Sequence, residues 1–172
     1  YDWDAHRATG YEWWADRIRM TLSQVDLVRV DHFRAFAAAW HVPADAITAK
    51  SGSWVPGPGA ELFEAIRAKL GGLPLIAEDL GLITADVHEL RESLGLPGMC
   101  VLQFAFGGGS DNRYLPHNYD PHCAVYTGTH DNDTTRGWYL GSSEYVRHHV
   151  RQYVGRDGTE IAWDLLRMAW AS

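Results

Sequence analysis

Val25-Asp26-Leu27-Val28-Arg29-Val30-Asp31-His32 decides how this chain reads. Its first six residues are short, apolar and rich in β-branched side chains, which spells a strand ending at Asp31. Upstream, Tyr11, Trp14, Ile18, Leu22 and Val25 recur at steps of three and four, so residues 10–24 are predicted as an amphipathic helix. Downstream, the alternation continues. Leu62, Ile66 and Leu70 mark a helix closed by Gly71-Gly72. Leu73-Pro74-Leu75-Ile76-Ala77 is a second strand, ending at Glu78. Val87, Leu90 and Leu94 mark a helix with Thr84 as its N-cap and Gly95 beyond its end. Met99 to Phe106 is a third strand, and Cys123-Ala124-Val125-Tyr126-Thr127 a fourth. Helices over 142–154 and 159–170 finish the chain. Residues 31–40 read as a short helix or loop, 41–59 as an inserted Pro- and Gly-containing loop, and 107–120 as a Gly- and Asn-rich loop.

Short apolar strands alternating with helices mean parallel βαβ units and an α/β fold. About four strands are visible, whereas a (β/α)₈ barrel needs about 250 residues. The chain is therefore either a small open sheet or part of a barrel. Its 172 residues suit one domain, and 46% hydrophobic residues suffice for a core. The net charge of -7, from 15 basic and 22 acidic side chains, argues against a nucleic-acid partner. No apolar run approaches the roughly 18–20 residues of a membrane span. Tyr1-Asp2-Trp3-Asp4 is not the basic start of a signal peptide, and without an initiator Met the start reads as a cut. Two cysteines, Cys100 and Cys123, make no disulfide framework, which favours a reducing, cytoplasmic setting. Eight Trp, eight Tyr and five Phe point either to stacking on the apolar faces of neutral sugars or to an aromatic core.

Chemistry-bearing residues gather where strands end. Asp31-His32 follows the first strand, Glu78-Asp79 the second, and His130-Asp131-Asn132-Asp133 the fourth. In parallel α/β folds that edge binds ligands. Each carboxylate taken singly has a plainer use, capping the next helix. Metal binding is disfavoured: Asp131-Asn132-Asp133 opens like a calcium loop, but Arg136 and Ser142 stand where Gly and a bidentate Glu belong. No G-x-S-x-G, reactive-cysteine or P-loop pattern occurs either. Two-carboxylate glycoside chemistry remains, with one ionised carboxylate attacking and a protonated partner donating. Arg29 lies two residues before Asp31, on the same strand face, and can hold it ionised. Glu78 has no basic neighbour in sequence and follows an apolar strand, as suits a carboxyl kept protonated; Asp79 is its rival.

Leu27-Val28-Arg29-Val30-Asp31-His32-Phe33-Arg34, Ala77-Glu78-Asp79-Leu80-Gly81 and Gly128-Thr129-His130-Asp131-Asn132-Asp133 resemble the amylomaltase (4-α-glucanotransferase, disproportionating enzyme) family. So do Gly52-Ser53-Trp54-Val55-Pro56-Gly57-Pro58-Gly59, Leu96-Pro97-Gly98-Met99 through Val101-Leu102-Gln103-Phe104-Ala105-Phe106, and Leu115-Pro116-His117-Asn118-Tyr119, in the same order. The resemblance implies a partial (β/α)₈ barrel spanning 1–172, the C-terminal catalytic part of a longer parent, with about four of its parallel strands. It implies Asp31 as nucleophile, Glu78 rather than Asp79 as general acid/base, and Asp131 as a third carboxylate on the sugar hydroxyls. Arg29 and His130 match residues supporting the nucleophile and that same sugar. His32 and Phe104 match the acceptor side, and Trp54 either stacks on a glucose or anchors its loop.

The expected activity is retaining transfer of α-1,4-glucan segments between maltooligosaccharides, without metal or organic cofactor and without a nucleic-acid or membrane partner. The alternatives are an α-glucan hydrolase, or a truncated fragment that binds glucan without turnover. No motif encodes oligomeric state or donor length.

Overall fold

The computed structural model describes all residues from 1 to 172. They form two compact units, Tyr1–Gly98 and Met99–Ser172.

The first unit opens with two helices, α1 (Trp3–Ala8) and α2 (Glu12–Leu22). Asp2 caps α1, its carboxylate accepting from the Ala5 N–H. Strand β1 (Val28–Val30) follows, then a 3₁₀ turn over Phe33–Phe36. Strands β2 (Ala38–His41) and β3 (Ser53–Pro56) pair antiparallel, Trp40 opposite Trp54. Helix α3 (Gly59–Leu70) leads to β4 (Leu75–Ala77), and α4 (Ala85–Ser93) completes the unit. β1 and β4 are parallel, with Val28 opposite Leu75 and Val30 opposite Ala77. Helix α2 packs on both β1 and α3. Beneath this pair lies a core of Ile18, Phe33, Leu62, Phe63, Ile66 and Leu75.

The expected strand over 25–30 is shorter in fact, and its partner explains why. Pro74 has no N–H to give, so the ladder opens with the Val28 N–H on the Pro74 carbonyl. Val25 and Leu27, outside it, are exposed. The segment 38–56, expected to be short helix or loop up to residue 40 and loop beyond it, holds an antiparallel ribbon instead. Pro56 is tolerated because it sits at the ribbon's end, where the Gly57 N–H closes on the Ala37 carbonyl. Thr84 does stand at the N-cap of α4, but its hydroxyl turns to Asp86.

In the second unit, β5 (Gly98–Val101), which begins at the last residue of the first, pairs with β6 (Cys123–Tyr126). Helices α5 (Thr135–Gly141), α6 (Glu144–Val154) and α7 (Ile161–Trp170) follow. The third strand was expected to run to Phe106, but Leu102–Phe104 is a 3₁₀ turn. Leu102, Ala105 and Phe106 are all buried, a spacing of three and four that a strand cannot direct to one core. They pack with Leu115, Tyr139, Val150, Ile161 and Leu165.

The outcome is an α/β fold whose four expected strands exist as two separate pairs, with a third, antiparallel pair in the first unit that was not expected. Neither cysteine is in a disulfide, and no helix is long and apolar enough to cross a membrane. The tryptophans are not a core set: Trp14 alone is buried, while Trp13, Trp40, Trp54, Trp163 and Trp170 are exposed.

Candidate active site

The parallel register of β1 and β4 carries on past their last paired residues. The Glu78 N–H donates to the Val30 carbonyl at 3.0 Å, which sets Asp31 and Glu78 at neighbouring ends of the same edge. Arg29 reaches forward from β1, its Nη2 donating to Asp31 Oδ1 at 2.6 Å. The i, i+2 pairing expected from the strand is thus present, and a charge-assisted contact this short orients the carboxylate. Arg29 is largely buried, while Asp31 is 57% exposed and open to an incoming molecule. Arg29, Asp31 and His32 line a cavity of about 470 Å³, with Trp3, Trp14 and Phe36 on its aromatic side.

Glu78 is held by backbone. Its Oε2 accepts from the His32 N–H at 2.7 Å and its Oε1 from the Leu80 N–H at 2.8 Å. Its carbonyl accepts from the Phe33 N–H at 3.2 Å. The sequence argument expected an isolated carboxyl kept protonated; the structure seats it as a double acceptor. A protonated carboxyl keeps acceptor capacity on both oxygens, so these two contacts are compatible with a proton on either one.

Asp79 differs from Glu78 in every respect. It is 1% exposed, forms an ion pair with Arg91 at 3.5 Å, and presses on Gly98. A Cβ at Gly98 would lie 2.6 Å from Asp79 Oδ2, so a glycine is needed there. The pleat sends the two adjacent carboxylates to different surroundings, one in the protein interior and one at the strand-end edge.

Trp54 stands on the β2–β3 ribbon, exposed, with the Trp40 ring at 5.3 Å edge-on. One face of its indole is occupied: the Arg34 guanidinium sits 4.1 Å from the ring centroid. Arg34 also donates to the Leu82 carbonyl, tying the ribbon to the loop after Glu78. Arg34 went unassigned in the sequence. The signal for it was there, since an Arg set between Phe33, Ala35 and Phe36 is costly unless paired, the same argument that picked out Arg29.

In the second unit the loop after β6 is tied within itself. Asn132 Oδ1 accepts from both the N–H and the hydroxyl of Thr129. Asp133 Oδ1 accepts from the Thr134 N–H, but α5 is capped by Thr134, whose hydroxyl accepts from the Gly137 N–H. Asp131 and His130 stay exposed, their side chains 3.4 Å apart. Phe104, in the 3₁₀ turn after β5, is exposed and meets Tyr114 edge-on. Nowhere do three His, Cys, Asp or Glu side chains form a metal-holding group.

The 4-alpha-glucanotransferase family model, glycoside hydrolase family 77, matches residues 1–172. The chain belongs to this family. Against the chloroplastic/amyloplastic 4-alpha-glucanotransferase of Arabidopsis thaliana it is 49% identical, over all of this chain and 30% of that protein. Against the 4-alpha-glucanotransferase of Clostridium butyricum it is 45% identical, over all of this chain and 36% of that one. Among solved structures, the amylomaltase from Streptococcus agalactiae in complex with acarbose superposes with a TM-score of 0.89 at 38% identity, covering all of this chain and 35% of its own. The chain thus spans about a third of the length of the relatives it matches.

Proposed function

We propose that the protein containing these residues is a retaining 4-α-glucanotransferase acting on maltooligosaccharides or α-1,4-glucan. The observation that carries this reading is the backbone-locked juxtaposition of Asp31, ion-paired to Arg29, with Glu78 at the next strand end. Asp31 attacks the anomeric carbon of the donor, while a protonated Glu78 gives its proton to the departing 4-oxygen. A β-glucosyl ester on Asp31 results. Glu78, now a base, takes the proton of an acceptor 4-hydroxyl, which displaces Asp31 and restores the α configuration by double inversion.

Asp131 and His130 bind the hydroxyls of the sugar being transferred. His32 and Phe104 line the acceptor side, and the free face of Trp54 stacks on a glucose further along. Every step is a displacement or a proton transfer, so the reaction calls for no metal or organic cofactor. The two strand pairs are parts of one (β/α)₈ barrel, closed by the remainder of the parent chain. Activity belongs to that longer protein, because in the 172 residues β1 is paired along one side only.

The test is incubation of the parent enzyme with maltotriose. Oligomers longer than maltotriose, together with glucose, are the expected products. Maltose and glucose alone would make it a hydrolase, and binding without turnover would make it a glucan-binding protein.

A further inference from the structure

We propose that His32 is a positioning residue whose left-handed backbone, rather than its ring, aligns Glu78; this rests on the function proposed above. Two residues other than glycine have positive φ, Tyr11 and His32. Tyr11 opens α2 and is buried in the core. His32 is exposed, with φ 50° and ψ 47°, a conformation in which a Cβ crowds the following carbonyl. Such strain persists only when its surroundings hold it, and it marks places where geometry matters.

The turn has a definite effect. It swings two consecutive amides away from the path of β1 and onto one residue: the His32 N–H meets Glu78 Oε2, and the Phe33 N–H meets the Glu78 carbonyl. The first of these amides is aimed at the carboxylate itself and the second at the backbone that carries it. The turn is locked from below by Phe33, which is fully buried against Phe36 and Phe63, and by the Ala35 N–H on the His32 carbonyl. Leu80 fixes the other carboxyl oxygen from Glu78's own loop. The His32 amide is therefore the contact that ties the acid/base carboxyl to the loop of the nucleophile. It belongs to the residue next to Asp31, so it adds a direct link between the two carboxyls to the strand register that already sets their backbones side by side.

The experiment compares His32→Gly, His32→Ala and His32→Val in the full-length parent enzyme. All three delete the ring, so any substrate contact it makes is lost equally. Glycine keeps the left-handed turn without cost; alanine resists it and valine resists it more. With maltotriose, kcat is expected to fall in the order Gly, Ala, Val, with Val at least about tenfold below Gly. With α-maltosyl fluoride, whose leaving group needs no proton, single-turnover fluoride release is expected to be equal across the three. Should His32→Val fail to fold, the Gly–Ala pair still decides. Equal kcat for Gly and Ala on maltotriose would overturn the proposal, placing the role in the ring. A parallel loss on both donors would overturn it too, as general disruption. Failure of the underlying reading looks different: the wild-type parent would make no longer oligomers, or Glu78→Gln would transfer maltotriose unimpaired.

Discussion

The carboxylates at the ends of β1 and β4 and those in the loop after β6 are held by opposite means. Glu78 is fixed by an amide 46 positions away, through a register that exists only once β1 and β4 have paired. Asp131 has only its backbone placed, and by neighbours: Thr129 and Asn132 close the turn it stands on and the Thr129 hydroxyl accepts from its N–H, while its carboxylate stays exposed. The first arrangement depends on the fold, while the second is written in the local chain. A reaction needing two carboxyls at one set spacing is better served by the first, because strand register is insensitive to loop motion.

Substitutions can break this contrast. The largest effect is expected from Asp31→Asn in the parent enzyme: an amide cannot form the ester, so maltotriose transfer should fall to background. Glu78→Gln comes next and should be donor-dependent, with maltotriose transfer lost and fluoride release from α-maltosyl fluoride kept. Asp79→Ala, one residue on, should act on stability instead. It takes the buried partner from Arg91, which keeps the exposed Glu92 at 3.3 Å and the Leu96 carbonyl, at a cost of about 3 kcal/mol in denaturant unfolding. Should Asp79→Ala retain full stability and lose activity, the division between the two adjacent carboxylates would fail.

Asn132→Ala tests the local arrangement. Two hydrogen bonds disappear from a partly exposed turn, so about 1 kcal/mol of stability is at stake and KM should rise more than kcat falls. The smallest effect is expected at Glu144 on α6, where the Arg151 hydrogen bond holds the carboxylate below its ordinary value of 4.5. A carboxyl whose folded value is depressed adds stability above the unfolded value and loses it as pH falls through the folded one. Glu144→Gln should therefore lower the melting temperature slightly at neutral pH. The difference should vanish in acid below the lowered value, and high salt should shrink it, since the Glu144 carboxylate faces solvent.

The same contrast governs what could be read from sequence. Helices α2, α3 and α4 carry their own apolar periodicity, Gly71 and Gly95 mark the ends of α3 and α4, and with α6 and α7 they form close to where the sequence puts them. Arg29 on Asp31 is an i, i+2 contact and follows from strand geometry alone. The β2–β3 ribbon was illegible because Pro43, Pro56 and Pro58 read as loop, while the Trp40–Trp54 pairing that stabilises it spans 14 positions. Short α1 and α5 offer too few turns for a period to show. The seat of Glu78 was illegible for a different reason. It is built from backbone amides of His32 and Leu80, and an amide leaves no mark in the identity of a residue. Only the left-handed turn at His32 betrays it, and non-glycine residues do not announce positive φ.

The central claim, that Asp31 and Glu78 work as nucleophile and acid/base, is tested most directly by trapping the ester. Parent enzyme carrying Glu78→Gln, treated with α-maltosyl fluoride, quenched in acid and digested, should yield the peptide containing Asp31 heavier by one maltosyl group. A maltosyl group on any other carboxylate, or an unmodified digest after full release of fluoride, would contradict the account.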